Sequence, residues 1–192
     1  MVTDLHVYFE GDRALREGLR EFLKELYEAA SASSAMTRLI PARGTPVDRF
    51  KIALQQNPNA LNILLLDSEG PAGGKVYKER LEEIPEEARG CVFWMVQIME
   101  SWFLADPDAL ARFYKQGFGR NLFKQWNDVE AVPKADVETI LHDATQQTKS
   151  GRYHKTAHAP RLLKLIDPDR VRQKSAHCRE MFDRVPAMLL QP

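Results

Sequence analysis

The sequence predicts an α/β domain, a parallel sheet flanked by helices, with a helical C-terminal part. Three observations carry this prediction. Two short apolar runs stop abruptly in polar turns: Leu5 to Phe9 before Glu10, Gly11 and Asp12, and Ile63 to Leu66 before Asp67, Ser68, Glu69, Gly70 and Pro71. Runs this short suit strands better than buried helices. Amphipathic helical patterns stand between the apolar runs, and strands alternating with helices imply parallel pairing through right-handed crossovers. The chain has 192 residues and 44% hydrophobic content, enough for one well-buried core. The expectation is a single domain over 1–192, with 1–105 as the α/β core and 106–192 as a mostly helical extension.

In order, the first strand covers Leu5 to Phe9. A helix follows from about Asp12 to Ala30, because Leu15, Leu19, Phe22, Leu23 and Leu26 share one face while Arg16, Arg20, Glu21, Lys24 and Glu25 take the other. Ser31 to Ser34 break it, and Met36 to Ile40 form the second strand, stopped by Pro41. Pro46 to Gln56 reads as a helix burying Phe50, Ala53 and Leu54, ended by Asn57, Pro58 and Asn59. The strand that runs into Asp67 comes next. A glycine-rich turn, Gly70 to Gly74, leads to a short charged helix, Lys75 to Glu83. Cys91 to Gln97 is apolar almost throughout and is expected to be a central fourth strand. Asp106 followed by Pro107 is a helix start, with an N-cap and a proline at the first helical position, and Gly117 and Gly119 end that helix. Residues 118 to 133 show no period. Lys134 to Thr148 is helical through Val137, Ile140, Leu141 and Ala144, and the remainder reads as helix, with Asp167 and Pro168 repeating the cap-and-proline device.

The 27 basic and 27 acidic side chains cancel, so no global field draws the chain to nucleic acid or to an anionic membrane, and any phosphate-binding surface must be local. The first residues lack a basic and apolar leader pattern, and no apolar run reaches membrane-spanning length, so a soluble cytoplasmic protein without a membrane partner is expected. Cys91 and Cys178 are too few for a disulfide framework, and Cys91 is expected to be a buried thiol.

In a parallel sheet the carboxyl ends of the strands share one edge, where ligands bind. Glu10, Asp67 and Glu69 all stand at such ends. Two carboxylates about 4 Å apart repel by roughly 4 kcal/mol at an effective dielectric near 20, so converging acids need protons, basic partners or a cation. An all-oxygen cluster suits magnesium or manganese, and magnesium commonly bridges a few carboxylates to substrate phosphate. Asp12 and Glu100 are possible further acids, although Asp12 also reads as a helix cap and Glu100 as a residue complementing a helix dipole.

The stretch Phe9, Glu10, Gly11 followed by Leu66, Asp67, Ser68, Glu69 resembles the Toprim domain of topoisomerases, primases and overcoming-lysogenization-defect (OLD) nucleases. That resemblance implies Glu10 as general acid or base or metal ligand, and Asp67 and Glu69 as holders of magnesium. Glu69 stands where the family more often has aspartate, and position 14, one turn after Glu10, is alanine. A longer resemblance covers almost the whole chain. Glu10 to Asp12, Leu65 to Glu69, Met95 to Asp106, Gly151 to Lys155 and Ile166 to Pro168 are similar to motifs of the bacterial domain-of-unknown-function family 4276, which is Toprim-like. Its members are often encoded beside ATPases of the ABC or AAA type in contexts suggestive of phage defence, which implies a possible ATPase partner.

Between Asp143 and Asp167 the chain carries Lys149, Arg152, Lys155, Arg161 and Lys164, with His154 and His158, and no carboxylate. Set against an acidic metal site, this local basic stretch can contact phosphates and stabilise developing charge; Lys155 is the preferred catalytic member, and Lys149, Arg152, His154 and His158 the substrate-binding ones. His154 and His158 have zinc-like i, i+4 spacing but lack the glutamate of a metalloprotease helix. The absence of a Gly-x-x-x-x-Gly-Lys motif argues against an NTPase. The leading expectation is a magnesium-dependent nuclease acting on DNA or RNA; the alternative is a non-catalytic partner or sensor subunit of an ATPase complex. An open cleft joining the acids to Lys155 favours the first, and an exposed apolar patch on the C-terminal helices with a dry acidic cluster favours the second.

Overall fold

A computed structural model describes residues 2–190. Four parallel strands form one sheet in the order β2-β1-β3-β4: β1 (Asp4–Phe9), β2 (Met36–Pro41), β3 (Ala60–Asp67) and β4 (Val92–Met95). The chain leaves β1 for β2 on one side and returns across β1 to pair β3 on the other, so the strand order reverses at β1. A reversal of this kind opens a crevice beyond the strand carboxyl ends.

The period-2 alternation of the strands sorts the core into two layers. Leu5, Val7 and Phe9 join Leu61, Ile63, Leu65, Phe93 and Met95 on one face, while Tyr8, Leu64, Leu66, Val92 and Trp94 lie on the other. The second face is covered by α3 (Pro46–Gln56) through Val47, Phe50 and Ala53, together with Ile84 and Ala88. Beside it runs α4 (Lys75–Glu82), which buries none of its residues fully.

The first face takes the rest of the chain. The predicted first helix is interrupted: a single 3-10 turn, Arg13–Leu15, precedes α1 (Arg16–Phe22), and Leu23 separates that from α2 (Lys24–Ala32). The apolar stripe is continuous across the break, which is why the pattern reads as one helix. The helices α5 (Pro107–Tyr114), α6 (Lys134–Thr145), α7 (Lys155–Leu163), α8 (Pro168–Lys174) and α9 (Ala176–Leu189) pack on the same face. Phe22 stacks on Trp102 at 4.7 Å between centroids and meets Phe182 edge-on, so both halves of the chain share one core. At the crossing of α1 and α7, a Cβ on Gly18 would stand 2.4 Å from the Pro160 carbonyl oxygen, and only glycine permits that approach.

Two expectations are corrected here. The fourth strand is shorter than predicted and lies at the sheet edge, not at its centre. It is apolar because α9 and the elements around Ile84 and Ala88 cover both its faces, so burial on two sides does not require a strand on each side. Cys91, just before it, is only half buried, and both cysteines are free. Residues 118 to 133 are mostly irregular but tied down, with Phe123, Val129 and Val132 buried and the Val129 N–H donating to the Lys174 carbonyl at 2.9 Å. Among the described residues no helix is long and apolar enough to cross a membrane.

Candidate active site

Beyond the carboxyl ends of β1 and β3 the chain brings together residues from separate stretches. The Glu10 N–H donates to the Leu65 carbonyl at 2.9 Å, which carries the ladder one residue past β1. Gly11, at φ +143°, then turns the chain; a Cβ there would meet Leu15 at 2.7 Å. Glu10 Oε2 accepts the Asp67 N–H at 3.1 Å and an Arg80 N–H at 2.9 Å. Glu10 and Asp67 thus adjoin as the strand pattern predicts, with Arg80 of α4 as a cation the sequence did not flag.

Asp67 is the last residue of β3 and only 5% exposed. Its Oδ1 accepts the Met99 N–H at 2.8 Å. The buried Ser68 hydroxyl donates to the Gly70 carbonyl at 2.6 Å and accepts the Gln97 N–H at 2.8 Å, and the Glu69 N–H donates to the Gln97 carbonyl at 2.8 Å. Glu69 and Gln97 have φ of 58° and 63°, left-handed conformations costing on the order of 1 kcal/mol each for side-chain-bearing residues. These coupled turns stop both strands, and the Glu69 carboxylate meets Lys134, whose Nζ donates to Oε2 at 2.5 Å.

From the other side come Glu100 and Lys155. Glu100 is 3% exposed in the 3-10 segment Met99–Ala105; its Oε1 accepts the Tyr153 hydroxyl at 3.0 Å and its Oε2 accepts Lys155 Nζ at 3.2 Å. The same Nζ lies 3.9 Å from Asp67 Oδ2. A tight return after α6 sets this up: Gly151 is left-handed and the Tyr153 N–H donates to Thr145 Oγ1 at 2.6 Å, which points Tyr153 inward. Lys155 and Lys134 each open a helix, α7 and α6. A cation at a helix N-terminus opposes the dipole and is offset here by carboxylates, the one sequence signal that could have found Lys134.

The electrostatics follow from this burial. Loss of hydration pushes the Asp67 carboxyl up to about 8, with Glu100 and Glu10 adding to the shift and Lys155 and the Met99 N–H opposing it. Burial disfavours the Lys155 ammonium, but Glu100 and Asp67 outweigh it and hold its pKa above the usual lysine value. Lys134 is also held high, first by its hydrogen bond to Glu69. Burial, and then Glu100, raise the Tyr153 phenol, which therefore stays a hydrogen-bond donor.

A cleft of about 360 Å3 is lined by Glu69, Glu100, Lys134, Tyr153, His154 and Lys155 among others, with Asp67 and Glu10 outside its lining. The remaining sequence candidates lie elsewhere. Lys149 and Arg152 are exposed on the turn before α7 and do not line the cleft. His158 is 7% exposed: its Nδ1 accepts the His154 N–H at 3.1 Å, with the Tyr114 hydroxyl 3.0 Å away, and burial and the nearby His154 and Arg161 lower its pKa. It is occupied by the start of α7 and by the aromatic core, away from a phosphate. Asp12 caps its 3-10 turn through the Ala14 N–H at 3.0 Å and pairs with Arg43 at 3.3 Å.

An all-oxygen donor set fits magnesium or manganese chemically. As the side chains stand, no group of three His, Cys, Asp or Glu converges on one point among the described residues. The physical reason is pairing: Glu10 leans to Arg80, Glu69 to Lys134 and Glu100 to Lys155. Asp67 is the member whose charge lacks a hydrogen-bonded cation, and a divalent ion beside it would reverse its upward shift.

Among solved structures, the C-terminal region of the Burkholderia pseudomallei OLD protein has a similar fold, with a TM-score of 0.53 and 11% sequence identity over 98% of this chain and 100% of that one. This agrees with the Toprim-like parallel α/β fold expected from the sequence. No curated protein matches the chain in sequence. The model of the family described as "Domain of unknown function (DUF4276)" matches residues 11–186, and the chain belongs to that family.

Proposed function

We propose that the chain is a magnesium- or manganese-dependent nuclease of Toprim type that hydrolyses phosphodiester bonds. The observation that carries this reading is the open cleft lined by Lys155, Glu69 and Glu100 beyond the strand carboxyl ends, with the Lys155 ammonium reaching from it to within 3.9 Å of the buried Asp67 carboxylate. Asp67, Glu69 and Glu10 would hold the ion, which when bound supplies positive charge at a phosphate oxygen and a more acidic water. Lys155, aimed by Glu100, donates to a non-bridging phosphate oxygen and balances charge that develops there. Tyr153 fixes Glu100 by its hydroxyl, and Glu10 either shares the ion or takes the proton of the attacking water. Arg152, Lys149 and His154 meet flanking phosphates. A cytoplasmic role in phage defence or DNA repair, beside an ABC- or AAA-type ATPase, belongs to this reading.

A second reading, a non-catalytic subunit of an ATPase complex, is favoured by the pairing of Glu10 and Glu69 with the chain's own cations, which neutralises part of the cluster. One experiment separates them. A mixed panel of DNA and RNA is incubated with magnesium or manganese and with wild type or Asp67→Ala, in the presence and absence of the partner ATPase. The nuclease reading expects metal-dependent cutting that Asp67→Ala loses, together with a magnesium-induced rise in wild-type Tm that the variant lacks. No cutting in any arm, with the variant folded, gives the role to the second reading.

A further inference from the structure

On the face of α1, next to the candidate site, lies a groove of about 800 Å3 lined by Arg13, Arg16, Glu17, Arg20, Glu21 and Lys164. Its lining is wholly charged, four cations against two carboxylates. Lys164 is joined to Glu17 at 2.7 Å on an exposed rim, which leaves the arginines as the source of the net charge. Among the described residues Arg13, Arg16 and Arg20 have no carboxylate within 4.0 Å, a state they share with Arg38, Arg49, Arg89, Arg112, Arg152, Arg161 and Arg179, but these three are gathered on one groove. The Arg16 Nε is moreover buried without a hydrogen-bond acceptor. In a chain of zero net charge, three guanidinium groups at spacings of three and four residues, outnumbering the carboxylates beside them, are a local anion-binding row.

We propose that this groove binds the phosphate backbone of a duplex nucleic acid, adjoining the candidate active site. The absence of an aromatic residue from its lining leaves nothing for bases to stack on, which favours a paired backbone over a single strand. Two connections tie it to the site. Arg13 follows Glu10 by three residues, and α7 carries Lys155 at one end and Lys164 just past the other. That separation is about 14 Å along the helix, or about four base-pair steps at about 3.4 Å. A duplex with a phosphate at Lys155 would therefore meet the arginine row within half a helical turn. The choice of nucleic acid as the polyanion rests on the nuclease reading; the row itself does not.

The test is fluorescence anisotropy of a labelled 20-base-pair DNA duplex, the matching RNA duplex and a single strand of equal length, over graded salt, with cleavage blocked by Asp67→Asn and no divalent ion present. In that background Arg13→Ala/Arg20→Ala should weaken duplex binding at least tenfold at 100 mM salt and lower the log–log salt slope by about 2, one unit per lost phosphate contact. Arg13→Glu/Arg20→Glu should weaken it further, and both positions are exposed, so an unchanged Tm verifies the fold. Unchanged affinity and slope in both variants, no duplex binding by the parent, or single-strand binding equal to duplex binding overturns the proposal. Arginine-dependent binding without cutting by the metal-loaded wild type would instead remove the nuclease reading and leave the groove standing.

Discussion

Two buried aspartates show how differently the same side chain is used in this molecule. Asp106, 1% exposed, opens α5: its Oδ1 accepts the Ala109 N–H at 3.2 Å and an Arg170 N–H at 2.9 Å, and its Oδ2 accepts the Asp167 N–H at 3.0 Å. Both oxygens are used, and the carboxylate ties α5 to the start of α8. Asp67 is almost as buried but has one backbone donor on Oδ1, an ammonium beyond hydrogen-bond distance of Oδ2, and two further acids that raise its pKa. A buried charge that is fully met is a joint; one left partly unmet is a site looking for a cation or a proton.

The contrast is sharpest in activity. With magnesium present, Asp67→Asn should lower cleavage at least a thousandfold, roughly 4 kcal/mol of barrier, while circular dichroism stays that of the wild type. Cutting that survives in this variant would make Asp67 a joint like Asp106. Next in size is Asp106→Ala, which takes the side-chain acceptor from the Ala109 and Asp167 N–H groups and one of the two carboxylates that meet Arg170, and should cost about 2 kcal/mol in urea unfolding, with the m-value unchanged.

Asp67 should also betray itself through pH. Its folded pKa lies above the unfolded one, so between about pH 4 and pH 8 the folded state holds a proton that the unfolded state has lost, and metal-free stability falls as pH rises. Asp67→Asn removes this term. The variant's stability should gain on wild type by up to about 1.4 kcal/mol per pH unit across that window, measured by urea unfolding in chelator. A gap that stays constant from pH 5 to 8 would mean that Lys155 already satisfies the carboxylate.

The smallest effect belongs to an intermediate case, Glu130. Burial acts to raise its pKa, but hydrogen bonds from His177 and Ser175 outweigh this and lower it, and the His177 pKa is raised by the same pair. Histidine with a raised folded pKa stabilises fully below its unfolded value near 6.5, and the contribution fades as pH climbs through the folded value. His177→Gln should therefore be about 1 kcal/mol less stable than wild type at pH 6, with the deficit shrinking toward pH 9.

Local chemistry made much of this molecule legible in advance. Proline and aspartate pairs set the starts of α5 and α8, apolar runs set the strands, and alternation with helices put Glu10 and Asp67 at one edge, because each of these signals acts over a few residues. What the sequence by itself determined was thus the class of fold, the order of its elements and the acids at its strand ends. Only the tertiary structure decided which cation meets which acid. Arg80, Lys134 and Lys155 reach Glu10, Glu69 and Glu100 across 70, 65 and 55 residues of chain. Side-chain pairing over such separations depends on how helices dock on the sheet, and no short-range pattern encodes that.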